Sequence, residues 1–178
     1  GTAHEHYDAW TDYFKEYLRE RAKKGLFLEI ASKDYNAHTM EGIYNFLDFS
    51  DDATLRKRAR QFLDLYWAAW AEEQLDGVRG GGKTRIYQGI CSRSSAGDVV
   101  RGMAGYYLDY PLLEGPAAKY AGEPPLSRIN PTGWVIATST YRIPLEVMAF
   151  ALDLDGRGEY EVTQRPLGLA EEGYAKPH

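Results

Sequence analysis

Cysteine is almost missing from this chain: Cys91 stands alone among 178 residues. One thiol excludes an internal disulfide and any cysteine-based metal cluster. It has no histidine near it in sequence, so a buried, inert thiol is a simpler reading than a nucleophile. Basic runs are absent too. With 21 Lys+Arg against 26 Asp+Glu the net charge is −5, and neither the whole chain nor any local run attracts nucleic acid or an anionic membrane. An anionic ligand has to be met by individual arginines, for which Arg79, Arg85, Arg93, Arg101, Arg128 and Arg142 are candidates. No apolar stretch approaches the ~20 residues that span a bilayer. The opening Gly1-Thr-Ala-His-Glu-His6 carries no initiator methionine and no apolar segment of the signal-peptide kind. A Gly-x-Ser-x-Gly nucleophile elbow is lacking, which removes support for a serine hydrolase of the α/β type. These absences leave the compartment open.

What the chain has in quantity is aromatic: fourteen Tyr and four Trp. Rings with polar tips line carbohydrate and peptide grooves, and serve equally as filler between helices. The first half carries helical periodicity. Tyr7, Trp10, Phe14, Tyr17 and Leu18 fall on one face of a segment that Gly25 terminates. Met40, Ile43, Tyr44 and Leu47 form a second, shorter stripe, with Thr39 as its cap. A third helix opens at Asp51 and runs to about Leu75, with Leu55, Ala59, Phe62, Leu63, Tyr66 and Trp70 as its buried stripe. Ser95 to Asp98 has the form of a capping box for a fourth helix through about Leu108. Gly97, Gly102 and Gly105 cost that helix roughly 1 kcal/mol each relative to Ala, a cost that a closely approaching neighbour would offset.

After Asp109 the character changes. Pro111, Pro116, Pro124, Pro125 and Pro131 mark a long irregular excursion, of the kind that is usually functional or disordered. Gly133 to Thr138 is β-like, a short helix follows Pro144 to about Leu152, and Glu159 to Arg165 reads as a strand. The expectation is a mainly α fold of antiparallel helical hairpins, with residues 1–109 as the helical domain. Residues 110–178 form a looser, partly β third packed on the same domain.

Several motifs have stronger structural than chemical readings. Gly77-Val-Arg-Gly-Gly-Gly82-Lys83-Thr84 matches the phosphate loop G-x-x-x-x-G-K-[ST] letter for letter. That loop needs a strand before it and a helix after it. Here a long helix runs in and a non-helical Arg85-Ile-Tyr-Gln-Gly-Ile90 runs out, so a glycine turn accounts for it better. His4-Glu5-His6 lacks a third metal ligand and sits at a terminus. Asp153 to Glu159 has Leu154 and Arg157 where a calcium loop continues its oxygen ligands, and Gln164 at its twelfth position. No metal and no cofactor are expected.

The richest chemistry lies in Leu28-Glu29-Ile-Ala-Ser-Lys-Asp-Tyr35-Asn36-Ala-His38-Thr39, a polar connection between two helices. Connections on a rigid scaffold present functional groups, although a cap at Asn36 or Thr39 explains much of the polarity. Tyrosine, with a pKa near 10, becomes a base only beside a cation, whereas an imidazole such as that of His38 needs no such help. Asn36 and an arginine could hold a substrate carboxylate and stabilise the charge left when its α-proton departs. Tyr35 and His38 are thus the catalytic candidates. Glu29, Asn36, Arg85 and Tyr87 are the substrate-binding candidates.

Gly25-Leu-Phe-Leu-Glu29-Ile-Ala-Ser32-Lys-Asp-Tyr35-Asn36-Ala-His38-Thr39, with Asn45-Phe-Leu-Asp-Phe49, Asp52-Ala-Thr-Leu55-Arg56 and Leu63-Asp64, resembles uncharacterised bacterial proteins related to heparinase II/III-like and alginate-lyase-like α/α toroids. Thr138-Ser-Thr-Tyr141-Arg142-Ile-Pro144 and Arg157-Gly158-Glu-Tyr160-Glu161 are similar to later segments of the same proteins. The resemblance implies helical hairpins around a groove that takes an acidic polysaccharide. It also implies β-elimination, with Tyr35 as acid/base and Glu29 and Asn36 beside it. Those toroids pair the Tyr with an upstream Asn-His, where this chain has Glu5-His6, and they are several times longer. A partial toroid would expose an apolar face of the kind normally covered by a partner, so a homo-oligomer is among the expectations. The neighbouring enzyme alternative is a glycoside hydrolase using Glu29 with Asp34 or Asp52. A non-catalytic binding or assembly module is the competing class.

Overall fold

A computed structural model of the chain describes residues 1–26, 29–32, 35–75, 77–80, 99–108, 131–153, 156 and 158–161. They are mainly helical. In chain order the elements are α1 (Ala3–Lys23), α2 (Tyr35–Phe49), α3 (Ala53–Glu73), a hairpin of β1 (Gln74–Leu75) and β2 (Val78–Arg79), α4 (Val99–Leu108), α5 (Pro131–Thr138) and α6 (Leu145–Leu152).

Each long helix starts and stops for a local reason. Thr2 and Glu5 form a reciprocal capping box at the head of α1, the hydroxyl accepting from the Glu5 N–H while the carboxylate accepts from the Thr2 N–H. Its end is a left-handed turn, with Gly25 at φ 84° and Leu26 at φ 67°. Glycine takes that conformation freely, but leucine does not. Leu26 is held there by two bonds to Arg21: its N–H donates to the Arg21 carbonyl at 2.8 Å and its own carbonyl accepts from Arg21 Nε at 2.6 Å. Its side chain is buried. Asp52 caps α3 through the Leu55 N–H at 2.7 Å and pairs with Lys15 of α1 at 3.2 Å. Its carboxyl is held below the usual range, first by the Leu55 bond and then, against the opposing effect of burial, by Lys15.

The central element is α3, which packs against α1, α2 and α6. The three-residue connection from Phe49 to Ala53 folds α2 and α3 into a helical hairpin. Leu55, Ala59, Phe62, Leu63, Tyr66 and Trp70 of α3 meet Met40, Ile43, Tyr44 and Leu47 of α2 in the core, as the sequence stripes predict, and Trp67, outside the stripe, is buried with them. Burial of each large ring or aliphatic side chain contributes about 1.5–3 kcal/mol.

Several expectations are corrected. The β-like reading of Gly133–Thr138 fails: those residues form α5, which packs against α4 and α2. Proline at the first helical position suits a helix start, and tertiary packing overrides the β preference of Val135 and Ile136. Among the described residues 159–161 there is no strand; the rest of that segment lies outside them, as do the box at 95–98 and Gly97. Gly102 faces open space, with nothing within 4 Å of where a Cβ would stand. The packing of α4 rests instead on Val100, Met103 and Ala104. On α1 the stripe is buried only toward its end: Leu18 is covered and Phe14 and Tyr17 are half-buried, whereas Tyr7 and Trp10 are 45% and 57% exposed. The third helix ends at Glu73, and Gly77 at φ 78° turns the hairpin that follows it. The two-residue strand β1 thus stands between that helix and the phosphate-loop-like run, where a helix was expected to lead in directly; residues 81–84 of the run lie outside the described set. Among the described residues no helix is long and apolar enough to cross a membrane.

Candidate functional site

The connection before α2 is shorter than the sequence implies, because the helix already begins at Tyr35. Ser32, not Asn36 or Thr39, supplies the acceptor for the first turn, its hydroxyl taking the Tyr35 N–H at 3.0 Å. Thr39 sits one turn inside and bonds back to the Tyr35 carbonyl at 3.4 Å. Helical geometry then sorts the polar residues. Positions 35, 38 and 41 share a face, while position 36 is rotated away from it.

Tyr35 is 38% exposed, and its ring meets that of His38 edge-on at 6.4 Å between centroids. His38 Nδ1 lies 3.3 Å from Glu41 Oε2. Phenol, imidazole and carboxylate thus line up along one partly exposed face of α2.

Asn36 is not part of that line. It is 3% exposed, and its amide donates to the Ile30 carbonyl at 3.2 Å and toward the Tyr66 hydroxyl at 3.5 Å. In this position it fixes the connection against α3 instead of meeting a ligand beside Tyr35. Glu29 is half-buried, and its carbonyl accepts from the Ser32 N–H at 2.9 Å. Arg85 and Tyr87 lie outside the described residues. Of the other arginine candidates, Arg79 is buried and paired with Glu73 at 2.5 Å.

A second polar cluster forms where three segments distant in sequence meet. Asp48 at the end of α2 accepts both the N–H and the hydroxyl of Thr140, at 3.0 and 2.6 Å. Burial pushes the Asp48 carboxyl up, but the bonds from Thr140 and Ser139 and the charge of Arg60 outweigh it and hold the group below its usual range. Tyr141, fully buried, donates to Asp64 of α3 at 2.9 Å, and Arg60 stands 5.7 Å from its ring centroid. Burial first, and the Asp64 charge second, push its phenol up. Next to it Trp67 Nε1 donates to the Tyr44 hydroxyl at 2.9 Å, and the Tyr44 and Tyr107 hydroxyls lie 2.8 Å apart. Burial is the main cause that raises both of these phenols.

A small cavity of about 190 Å³ opens beside this cluster, and the described residues lining it are Tyr107, Ile136, Ala137 and Arg142. Arg142 Nη1 donates to the carbonyls of Ser139 and Tyr141 at 2.9 and 2.6 Å. Of these residues only Arg142 stands out in sequence, as an arginine able to meet an anion. Tyr107 gives no signal there, because its role depends on contacts across 63 residues with Tyr44. Compared with protein-family models, curated proteins and solved structures, the chain matches none.

Proposed function

We propose that this chain is a carbohydrate-active enzyme, a lyase that cleaves a uronate-containing polysaccharide by β-elimination. The observation that supports it is the alignment of Tyr35, His38 and Glu41 along one partly exposed face of α2. In that reading Glu41 orients the imidazole, and His38 Nε2 or the Tyr35 phenolate removes the proton beside the uronate carboxylate. The electron pair released from that C–H bond forms the new C=C bond as the glycosidic C–O bond breaks. The leaving oxygen takes a proton from the partner side chain. Arg85 remains the candidate for pairing the substrate carboxylate, and the helical hairpins are read as part of a toroid.

The test is ultraviolet absorbance of the unsaturated uronate end over a panel of uronate polysaccharides. Tyr35→Phe should abolish the rise while the helical circular dichroism is unchanged; retained turnover would remove Tyr35 as acid/base.

One observation favours a second reading, a binding or assembly module. Trp10, Tyr13, Phe14 and Tyr17 stack on one another along α1, yet Trp10 and Tyr13 are more than half exposed. A flat absorbance trace from folded protein that self-associates, with association lost on Trp10→Ala, would establish that reading instead. The hydrolase alternative gains nothing from Asp52, which is committed to capping α3 and to Lys15, and Asp34 lies outside the described residues.

A further inference from the structure

The cavity between α4 and the Ser139–Arg142 segment has at its rim an exposed cation, Arg142, that no described carboxylate pairs. Among the described residues no carboxylate lies within ion-pair distance of Arg142, and its guanidinium is aimed by two backbone carbonyls that accept from a single nitrogen. A charged fork held this way is preorganised for a planar anion, and carboxylate is the group its geometry matches.

Proton accounting in the wall of the cavity supplies the second donor. Tyr44 is fully buried, and its hydroxyl has two partners among the described residues, Trp67 Nε1 and the Tyr107 hydroxyl. The indole is a donor only, so it occupies a lone pair of Tyr44. A buried O–H without an acceptor is costly. Among the described residues the one acceptor beside the Tyr44 proton is the oxygen of Tyr107, 2.8 Å away; were Tyr107 to donate across that distance, the Tyr44 proton would have no acceptor among them. Hydroxyl hydrogens turn to suit their partners, so the chain runs from Trp67 through Tyr44 to Tyr107. The proton of Tyr107, which is half-buried at the cavity wall, is thereby left to point into the space it shares with Arg142. Burial, with the Asp48 charge behind it, outweighs the Tyr44 bond and the Arg142 charge and keeps this hydroxyl protonated, as a donor must be.

We propose that the Tyr107–Arg142 cavity is a carboxylate-binding site, with the guanidinium pairing the anion and the Tyr107 hydroxyl donating to it. Its size, about 190 Å³, falls below the ~300–1,000 Å³ of drug-sized sites. It therefore takes a single uronate unit or a short organic acid, with Ile136 and Ala137 as the apolar wall against the carbon skeleton. This site is separate from the Tyr35 face, since nine residues of α2, about 13 Å of helical rise, separate Tyr35 from Tyr44. The inference holds whether or not the chain is a lyase.

The experiment is titration of the isotopically labelled protein with glucuronate, and in parallel with glucose, read by backbone amide shifts. Glucuronate should shift Ala137, Arg142 and Tyr107 saturably, and glucose should not. Arg142→Gln should weaken binding by about tenfold or more, the order set by losing a bond to a charged group. Arg142→Lys should recover part of it, and Tyr107→Phe should weaken it severalfold. Equal response to glucose, shifts confined to other regions, or full binding by Arg142→Gln would each overturn the proposal. So would no glucuronate binding at millimolar concentration. Should Arg142→Gln lose its helical signal, Tyr107→Phe decides, because it keeps the ring that packs on Trp67 at 5.5 Å. A flat lyase assay alongside specific glucuronate binding would count against the catalytic reading alone.

Discussion

Replacing Tyr44 by Phe removes one oxygen atom from the middle of the Trp67–Tyr44–Tyr107 chain and nothing else. The ring keeps its edge-on contact with Tyr141 at 5.7 Å, so the hydrophobic burial is unchanged. What is lost is the acceptor for Trp67 Nε1, whose side chain is 0% exposed and which has no other acceptor among the described residues. An orphaned buried donor costs about 1–3 kcal/mol. Tyr107 is half-buried at a cavity, and its hydroxyl can turn to water at little cost. We therefore expect about 2 kcal/mol of destabilisation, a large part of the ~5–15 kcal/mol that holds a typical domain. Tyr107→Phe should cost a comparable amount, because it orphans the Tyr44 proton instead. The double variant should cost about as much as Tyr44→Phe alone: with both hydroxyls gone, only the indole N–H remains unpaired. Urea unfolding reads this as a fall in midpoint at constant slope. A Tyr44→Phe effect within ~0.5 kcal/mol, or strict additivity in the double variant, would refute the directed chain and with it the outward proton of Tyr107.

Two further outcomes follow from the backbone and from charge. Gly25→Ala meets no atom within 4 Å but keeps a residue at φ 84°; it should cost about 1–2 kcal/mol through the left-handed conformation alone, seen as a lowered thermal midpoint. Asp48 is depressed in the folded state by Thr140, Ser139 and Arg60 against opposing burial, so its contribution is full above the ordinary aspartate value and disappears as pH falls through the folded one. Asp48→Asn should therefore be less stable than the parent at neutral pH, and the gap should close in acid; a gap that persists there would mean that the Thr140 clamp does not depend on charge.

The helices were legible wherever one face had one job. Leu55 to Trp70 repeats at helical spacing because α3 is the element that others pack around, and Gly25 marks the end of α1 through local chemistry; the cap of α3 is Asp52, one residue past the Asp51 read from the sequence. Gly133–Thr138 misled because β-branched residues beside a tryptophan look like a strand until α4 and α2 are placed against them. The aromatic stripe of α1 misled in the other direction: periodicity reports a face but cannot say whether anything lies on it. For the candidate site, composition pointed to the Tyr35 segment but could not separate Asn36 from its neighbours. One residue of rotation turns Asn36 into the core and leaves Tyr35 and His38 outside. The Asp48, Asp64, Tyr107 and Arg142 cluster was illegible for a different reason. Its contacts span 77 residues from Asp64 to Tyr141 and 92 from Asp48 to Thr140, and no local pattern records such a meeting.

The four tryptophans divide into two optical populations. Trp67 and Trp70 are buried edge to face at 5.4 Å in the wall of α3, next to Tyr66 and Tyr107. Trp10 and Trp134 stand mostly in solvent, 57% and 59% exposed. Emission at short wavelength therefore comes from the pair that senses the Tyr44 hydroxyl chain, and a soluble quencher silences the other two first. The folded chain thus carries its own spectroscopic probe, positioned beside the Arg142 cavity and largely insulated from whatever touches α1.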